Sequence, residues 1–165
     1  MAEMLNLVSE MVEETQKGKY LIFSLDREEY GIEIKYVTEI VGVQTITAVP
    51  ELPEYIKGII NLRGKIIPIF DVRLRFKKEV REYNERTCIV VIDFREFSVG
   101  LIVDRVAEVI KISDEAIVPP PTFNGTNRFI KGIGKVGNGV KLILDCQRLL
   151  TDEELEVVAE YTPVG

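Results

Sequence analysis

The chain has no histidine and no tryptophan, only two cysteines, and no apolar run close to a membrane span, which needs roughly 20 residues. Without histidine it lacks the commonest general base and the commonest metal ligand. The usual parts of a hydrolase or a zinc enzyme are therefore missing, and no cofactor is expected. Cys88 and Cys146 sit among apolar residues with no CxxC spacing, so they read as buried thiols rather than a bridge or a metal site. No close-set acidic cluster resembles a calcium loop. The start, MAEMLNLVSEMVEE, lacks the basic opening and long apolar stretch of a signal peptide. A reduced, cytosolic protein with no direct membrane insertion is expected. Net charge is −6, which repels phosphate backbones and argues against nucleic acid as a partner. The aromatic residues show no stacking pattern, which argues against RNA in particular.

What the chain does have is a repeat. YGIEIKYVTEIV (30–41) lies on VGLIVDRVAEVI (99–110) at a constant offset of 69, so that Gly31 meets Gly100, Val37 meets Val106 and Glu39 meets Glu108. IKGIINLRGKIIPIFDVRLRF (56–76) lies on IKGIGKVGNGVKLILDCQRLL (130–150) at an offset of 74, the difference being a five-residue insertion within 121–128. A unit of roughly 60 residues has only a marginal core by itself. The two copies are therefore expected to pack on each other, with hydrophobic residues at 46% of the chain to build that core.

Alternation and turn residues place strands at 19–25, 29–34, 55–63 and 65–71, with one helical turn at 72–76. Residues 35–40 fit either a helical turn or a bent strand. Pro68, inside an apolar strand, implies an edge or a bulge. The polar segment 77–86 reads as a solvated linker between the copies. Residues 4–12 have the spacing of a short amphipathic helix, and Thr151 with Glu154 forms a capping box that opens a C-terminal helix. Many short strands and few helices indicate an all-β protein. Five strands per copy suffice to close a small barrel and hide its edges, so two barrels side by side are expected.

Three motifs invite chemistry. Gly132-x-Gly134-x-x-Gly137 has the letters of a dinucleotide fingerprint, but a strand follows where the mechanism needs a helix. Asn124-Gly125-Thr126 is a glycosylation sequon that reads as a loop turn. Asn61-Leu62-Arg63-Gly64 is the strongest candidate. Its counterpart is Lys135-Val136-Gly137-Asn138, so the frame is kept while the turn chemistry changes. Gly64 has a backbone reason to be there; Arg63 does not. Its guanidinium is a planar multi-donor group, and Glu39 is expected near the same barrel end. An exposed ion pair adds little to stability, so docking specificity is the better reason for one, beside the plainer reading of a solvated turn.

EYGIEIKYVTEI (29–40) and PEYIKGIINLRGKIIPIFDVRLRF (53–76) resemble the CheW family of bacterial chemotaxis coupling proteins, and the similarity continues through VGLIVDRVAEV (99–109), RFIKGIGKV (128–136) and LILDCQRLL (142–150). The resemblance implies two five-stranded SH3-like barrels related by pseudo-twofold symmetry. It implies a CheW-like domain over 19–150: barrel one at about 19–76, a linker at 77–87 and barrel two at about 88–150. A tail or short helix at 1–18 and a C-terminal helix and tail at 151–165 flank it. The family is not enzymatic. It bridges the cytoplasmic tips of chemoreceptors to the regulatory domain of the histidine kinase CheA, in the cytoplasm at membrane-bound receptor arrays. Val37, Glu39 and Arg63 match positions tied to coupling; Gly58, Asn61 and Gly64 belong to the same motif. Val99, Asp104 and Val106 fall where copy two lines the receptor groove, although Val37, Val99 and Val106 fit barrel core as well. Two alternatives stand beside this reading: a CheW-like regulatory domain of another chemotaxis protein, and a barrel that binds RNA or a small ligand. Against the first, no kinase segment precedes residue 19, and the stretch after residue 150 is too short for a receiver domain.

Overall fold

The computed structural model describes residues 16–94, 96–120, 128–151, 153, 154 and 156. The helix expected at 4–12, the sequon and most of the C-terminal helix lie outside the described residues. The first bond of the capping box is present, from Glu154 N to Thr151 Oγ1 at 3.1 Å.

Eleven strands carry the described fold. β1 (Lys19–Leu25), β2 (Glu28–Glu33), β3 (Val37–Gly42), β4 (Ile56–Leu62) and β5 (Lys65–Asp71) come from copy one. β6 (Cys88–Phe94), β7 (Phe97–Val103), β8 (Arg105–Lys111), β9 (Ile117–Val118), β10 (Ile130–Val136) and β11 (Gly139–Leu144) come from copy two. Helix is limited to short turns, among them α1 (Val72–Arg75). The ambiguous stretch resolves into a 3-10 turn, Ile34–Tyr36, followed by β3. Shifted by 69, β1 coincides with β6; shifted by 74, β4 coincides with β10. The cap after the last strand also repeats. Asp71 accepts from Arg73 N and Asp145 from Gln147 N, each at 3.0 Å.

The strands form two sheets, each drawing on both copies. One sheet runs β8-β1-β2-β11-β10-β9 and the other β3-β6-β7-β5-β4. The first two strands of each copy therefore pair with the last strands of the other, through parallel ladders β2–β11 and β5–β7. β5 lies inside its sheet rather than at an edge. The expectation for Pro68 holds only locally: the β7 ladder starts at Ile69, so Pro68, which has no N–H to donate, is paired with β4 alone.

Three clusters divide the apolar residues. The largest lies between the sheets, with Leu21, Phe23, Leu25, Tyr30 and Ile32 from one and Phe70, Val90, Ile92, Leu101 and Val103 from the other. Tyr20, Ile22, Ile112 and Ile143 fill the opposite face of the six-stranded sheet, and Ile60, Ile67, Ile69, Ile89 and Ile102 that of the five-stranded one. β1 and β6 are thus buried on both faces, which accounts for their unbroken apolar runs.

The repeat keeps a glycine at each parallel junction for a packing reason. Gly31 stands opposite Ile143 and Gly100 opposite Ile69. A Cβ on Gly31 would meet Ile143 Cδ1 at 3.1 Å and Ile22 Cδ1 at 3.2 Å, both mobile chain ends. On Gly100 it would meet Ile69 Cδ1 at 2.6 Å and Ile89 Cγ2 at 2.8 Å. The latter methyl is fixed to a branched Cβ and cannot swing away. Gly100→Ala should therefore cost about 1–3 kcal/mol by overpacking, and Gly31→Ala clearly less. Urea unfolding of the two variants checks the order; equal losses would mean that the junctions do not set it.

Candidate partner-binding surfaces

The turn between β4 and β5 holds Arg63 at φ 53° and Gly64 at φ 87°, the two positive angles of a tight hairpin turn. Asn61 supports it by accepting from Gly64 N at 2.8 Å. Glycine, which has no Cβ, or asparagine, whose short side chain bonds the local backbone, suits the Arg63 position better. A non-glycine residue held in such a conformation points to a use for its side chain. The guanidinium donates to Glu39. Glu39 follows a bulge in β3 and faces Val91.

β3 and β4 are opposite edges of the five-stranded sheet. The Arg63–Glu39 pair therefore spans the two edges, and the Thr47–Ile59 bridge carries the chain after β3 to β4. The Arg63 side chain remains 72% exposed, so most of the guanidinium is free for a further contact. Its hydrogen bond holds the Glu39 carboxyl below its ordinary range. Copy two has Glu108 but Gly137 in place of Arg63, and so cannot form the pair.

The other expected site residues separate by burial. Gly58 has φ 144°, and a Cβ there would lie 2.1 Å from Thr47 O; its place is fixed by backbone approach. Val37 and Val106 are half-buried on the equivalent edge strands β3 and β8 and pack against the shared core. Val99 is 1% exposed within that core, so it lines no surface; its core reading is the one that fits. Asp104 is half-buried. Its carboxylate accepts from Arg73 and from Asp26 N, each at 2.8 Å.

Several residues were not singled out from sequence. Arg73 is buried and bonds both Asp26 and Asp104. Arg75 lies between the rings of Tyr55 and Phe129, 4.5 and 4.8 Å from their centroids, and donates to Leu149 O at 2.8 Å. Tyr55 and Phe129 are themselves equivalent in the repeat. The signal for these arginines was the same as for Arg63: copy two has Gln147 and Leu149 in their places. A cavity of about 300 Å³ opens beside them, lined by Tyr30, Phe76, Phe129, Ile130 and Leu142, with Glu28 and Lys78 at its rim.

Among the described residues no three His, Cys, Asp or Glu side chains gather as a metal site. Burial pushes the Cys146 thiol up to about 12, which leaves it an inert protonated group. No described helix is long and apolar enough to cross a membrane.

The described fold is a two-sheet β protein with an exposed charged turn. Residues 19–154 match the CheW-like domain family. The chain is 39% identical over 153 residues to the chemotaxis protein CheW of Klebsiella aerogenes, covering 92% of each. It is 33% identical to that of Treponema pallidum, over 87% of this chain and 88% of the relative. The crystal structure of the scaffolding protein TtCheW from Thermoanaerobacter tengcongensis superposes with a TM-score of 0.77 at 39% identity, covering 83% of this chain and 96% of that one. The chain belongs to the CheW family and is a non-catalytic chemotaxis adaptor.

The Glu39 carboxyl should titrate below its ordinary value of 4.5 and return towards it in Arg63→Ala. Because the folded value is the lower one, whatever stability the pair gives is present above that ordinary value and is lost as pH falls through the folded one. Carboxyl-carbon NMR reads this directly; an unchanged titration in the variant would show the pair is not formed in solution.

Proposed function

We propose that this chain couples the cytoplasmic tips of chemoreceptors to the regulatory domain of the histidine kinase CheA, as the family resemblance implies, in the cytoplasm at receptor arrays. Residues 19–150 act as one CheW-like unit, in which the five- and six-stranded sheets each curve into an SH3-like barrel. The Arg63–Glu39 pair across opposite sheet edges supports that closure.

The observation that carries the reading is the exposed Arg63, held in an unfavourable backbone conformation at the tip of a hairpin whose copy-two equivalent lacks it. Its partial engagement with Glu39 presents a fixed donor fork to a partner carboxylate, which favours register and specificity. Val37 and Val106 lie on equivalent edge strands against the seam between the sheets. There they suit the apolar face of a helix, a common recognition mode. Receptor state reaches the kinase only where it changes the relative affinity of these contacts.

Arg63→Asp should leave the isolated protein folded, with a melting temperature near that of the parent. It should weaken capture of a CheA regulatory domain or of receptor tips by at least about tenfold, the scale of losing a charge-assisted contact. Titration calorimetry and circular dichroism separate the two effects. A collapsed melting temperature would make Arg63 structural. Exchanging the charges, Glu39→Arg with Arg63→Glu, should restore binding in part if the pair itself is recognised.

A further inference from the structure

We propose that Arg73 is a positioning residue: it fastens the linker between the copies and both sheets into one frame, and Asp104 serves coupling through Arg73 rather than by touching a partner. The inference rests on the adaptor reading above and adds an internal device to it.

The geometry begins at α1, directly after the interior strand β5 of the five-stranded sheet. The Arg73 side chain is 7% exposed, and one amino group reaches Asp26 Oδ1 and Asp104 Oδ2, each at 2.8 Å. Asp26 forms the β1–β2 turn of the six-stranded sheet. Asp104 joins β7 of one sheet to β8 of the other. Its carboxylate also accepts from Asp26 N. A single buried cation therefore ties together the β1–β2 turn, the β7–β8 crossover and the start of the linker.

The same side chain holds the linker. Arg73 Nε donates to Glu79 O at 3.2 Å, and Lys78 N donates to Arg73 O at 2.8 Å. Arg81, from the linker itself, returns to Asp26 at 2.9 Å. With Lys78 4.0 Å from Asp26 and 3.3 Å from Glu28, three positive and three negative groups balance in one cluster. Farther along, Tyr83 donates to Asp71 Oδ2 at 2.8 Å, so the linker is bound at both ends of its first half.

The repeat shows that the fold does not demand this cluster. At the equivalent positions of the other copy stand Gln147 for Arg73 and Lys35 for Asp104. That half of the molecule keeps the same cap and the same strand order without the cluster. Buried ion clusters are weak sources of stability but can specify one arrangement among several. Here the arrangement specified is that of the two sheets, which present separate faces to separate partners.

The test uses the full chain with Asp104→Asn, which keeps the shape and removes the charge, and Arg73→Lys, which keeps the charge and removes the fork. Trypsin under native conditions reads the linker, whose Lys77, Lys78, Arg81 and Arg86 are cleavable. Cleavage there should rise by about fivefold or more as local opening becomes easier. Binding of a CheA regulatory domain alone, and of receptor tips alone, should stay within about twofold of the parent. Receptor control of kinase activity in the reconstituted assembly should fall by about fivefold or more, the usual size of a lost coupling.

Unchanged cleavage overturns the strap. Raised cleavage with unchanged receptor control overturns its role in coupling. Loss of kinase-domain binding by Asp104→Asn alone, with the fold intact, would place Asp104 in a direct contact and also overturn the inference. A parent chain that binds neither partner would instead sink the adaptor reading and the coupling with it, while the trypsin comparison would still judge the strap.

Discussion

Two short parallel ladders, β2 with β11 and β5 with β7, hold the rest of the molecule in place. Each joins the early strands of one copy to the late strands of the other, across a large separation in sequence. Neither copy owns a complete sheet, so neither has a core to retain if the other is removed. The shared cluster between the sheets is the largest apolar cluster for the same reason: β1 and β6 must bury one face in their own sheet and the other against its neighbour. Long-range pairing of this kind carries a loop-closure entropy before it yields contact energy. The consequence is a cooperative unit rather than two beads on a string.

The repeat, the strand bounds and the glycines of the parallel junctions were legible in the sequence, because alternation and equivalent spacing are local signals. The exchange of strands was not. β4 and β5 have the same apolar pattern whichever copy supplies their neighbours, and periodicity does not name a partner strand. The Glu39–Arg63 contact was reachable because Arg63 broke the repeat and Glu39 was expected near the same barrel end. The partners of Asp104 were not legible for a related reason. A carboxylate after a buried strand looks like a surface group until the arginine that meets it is known, and Arg73 lies 31 residues away. Val99 shows the limit from the apolar side: FSVGLIV alternates too weakly to tell core from groove, and its strand proved buried on both faces.

Comparison of the copies separates frame from function more sharply than either copy alone. Positions with a backbone or packing task are shared: Gly31 with Gly100, Asp71 with Asp145, Ile69 with Ile143. Three arginines are not shared. Arg63, Arg73 and Arg75 have Gly137, Gln147 and Leu149 as counterparts. All three follow from one stretch of copy one, β4 through α1, and each engages a different neighbourhood: a sheet edge, the linker and the Tyr55–Phe129 seam. Guanidinium suits all three because it stays charged, offers donors in a plane and tolerates stacking on rings. The two frames are equivalent, and these three guanidinium groups stand on only one of them.

That asymmetry bears on how an adaptor without chemistry can transmit anything. A contact of modest strength on each of two faces gains from being linked, since the first partner raises the effective concentration of the second. Linkage alone, however, carries no information about receptor state. For that, the two faces must have a defined relation that one bound partner can bias for the other. A purely apolar interface between the sheets supplies affinity but few directional constraints, because dispersion and hydrophobic contacts are largely indifferent to small rotations. Directed bonds supply the missing constraint. The buried Arg73 with its two carboxylates lies on the apolar seam where such a rotation would be felt. The apolar core thus holds the sheets together, and the polar cluster fixes the angle at which they are held.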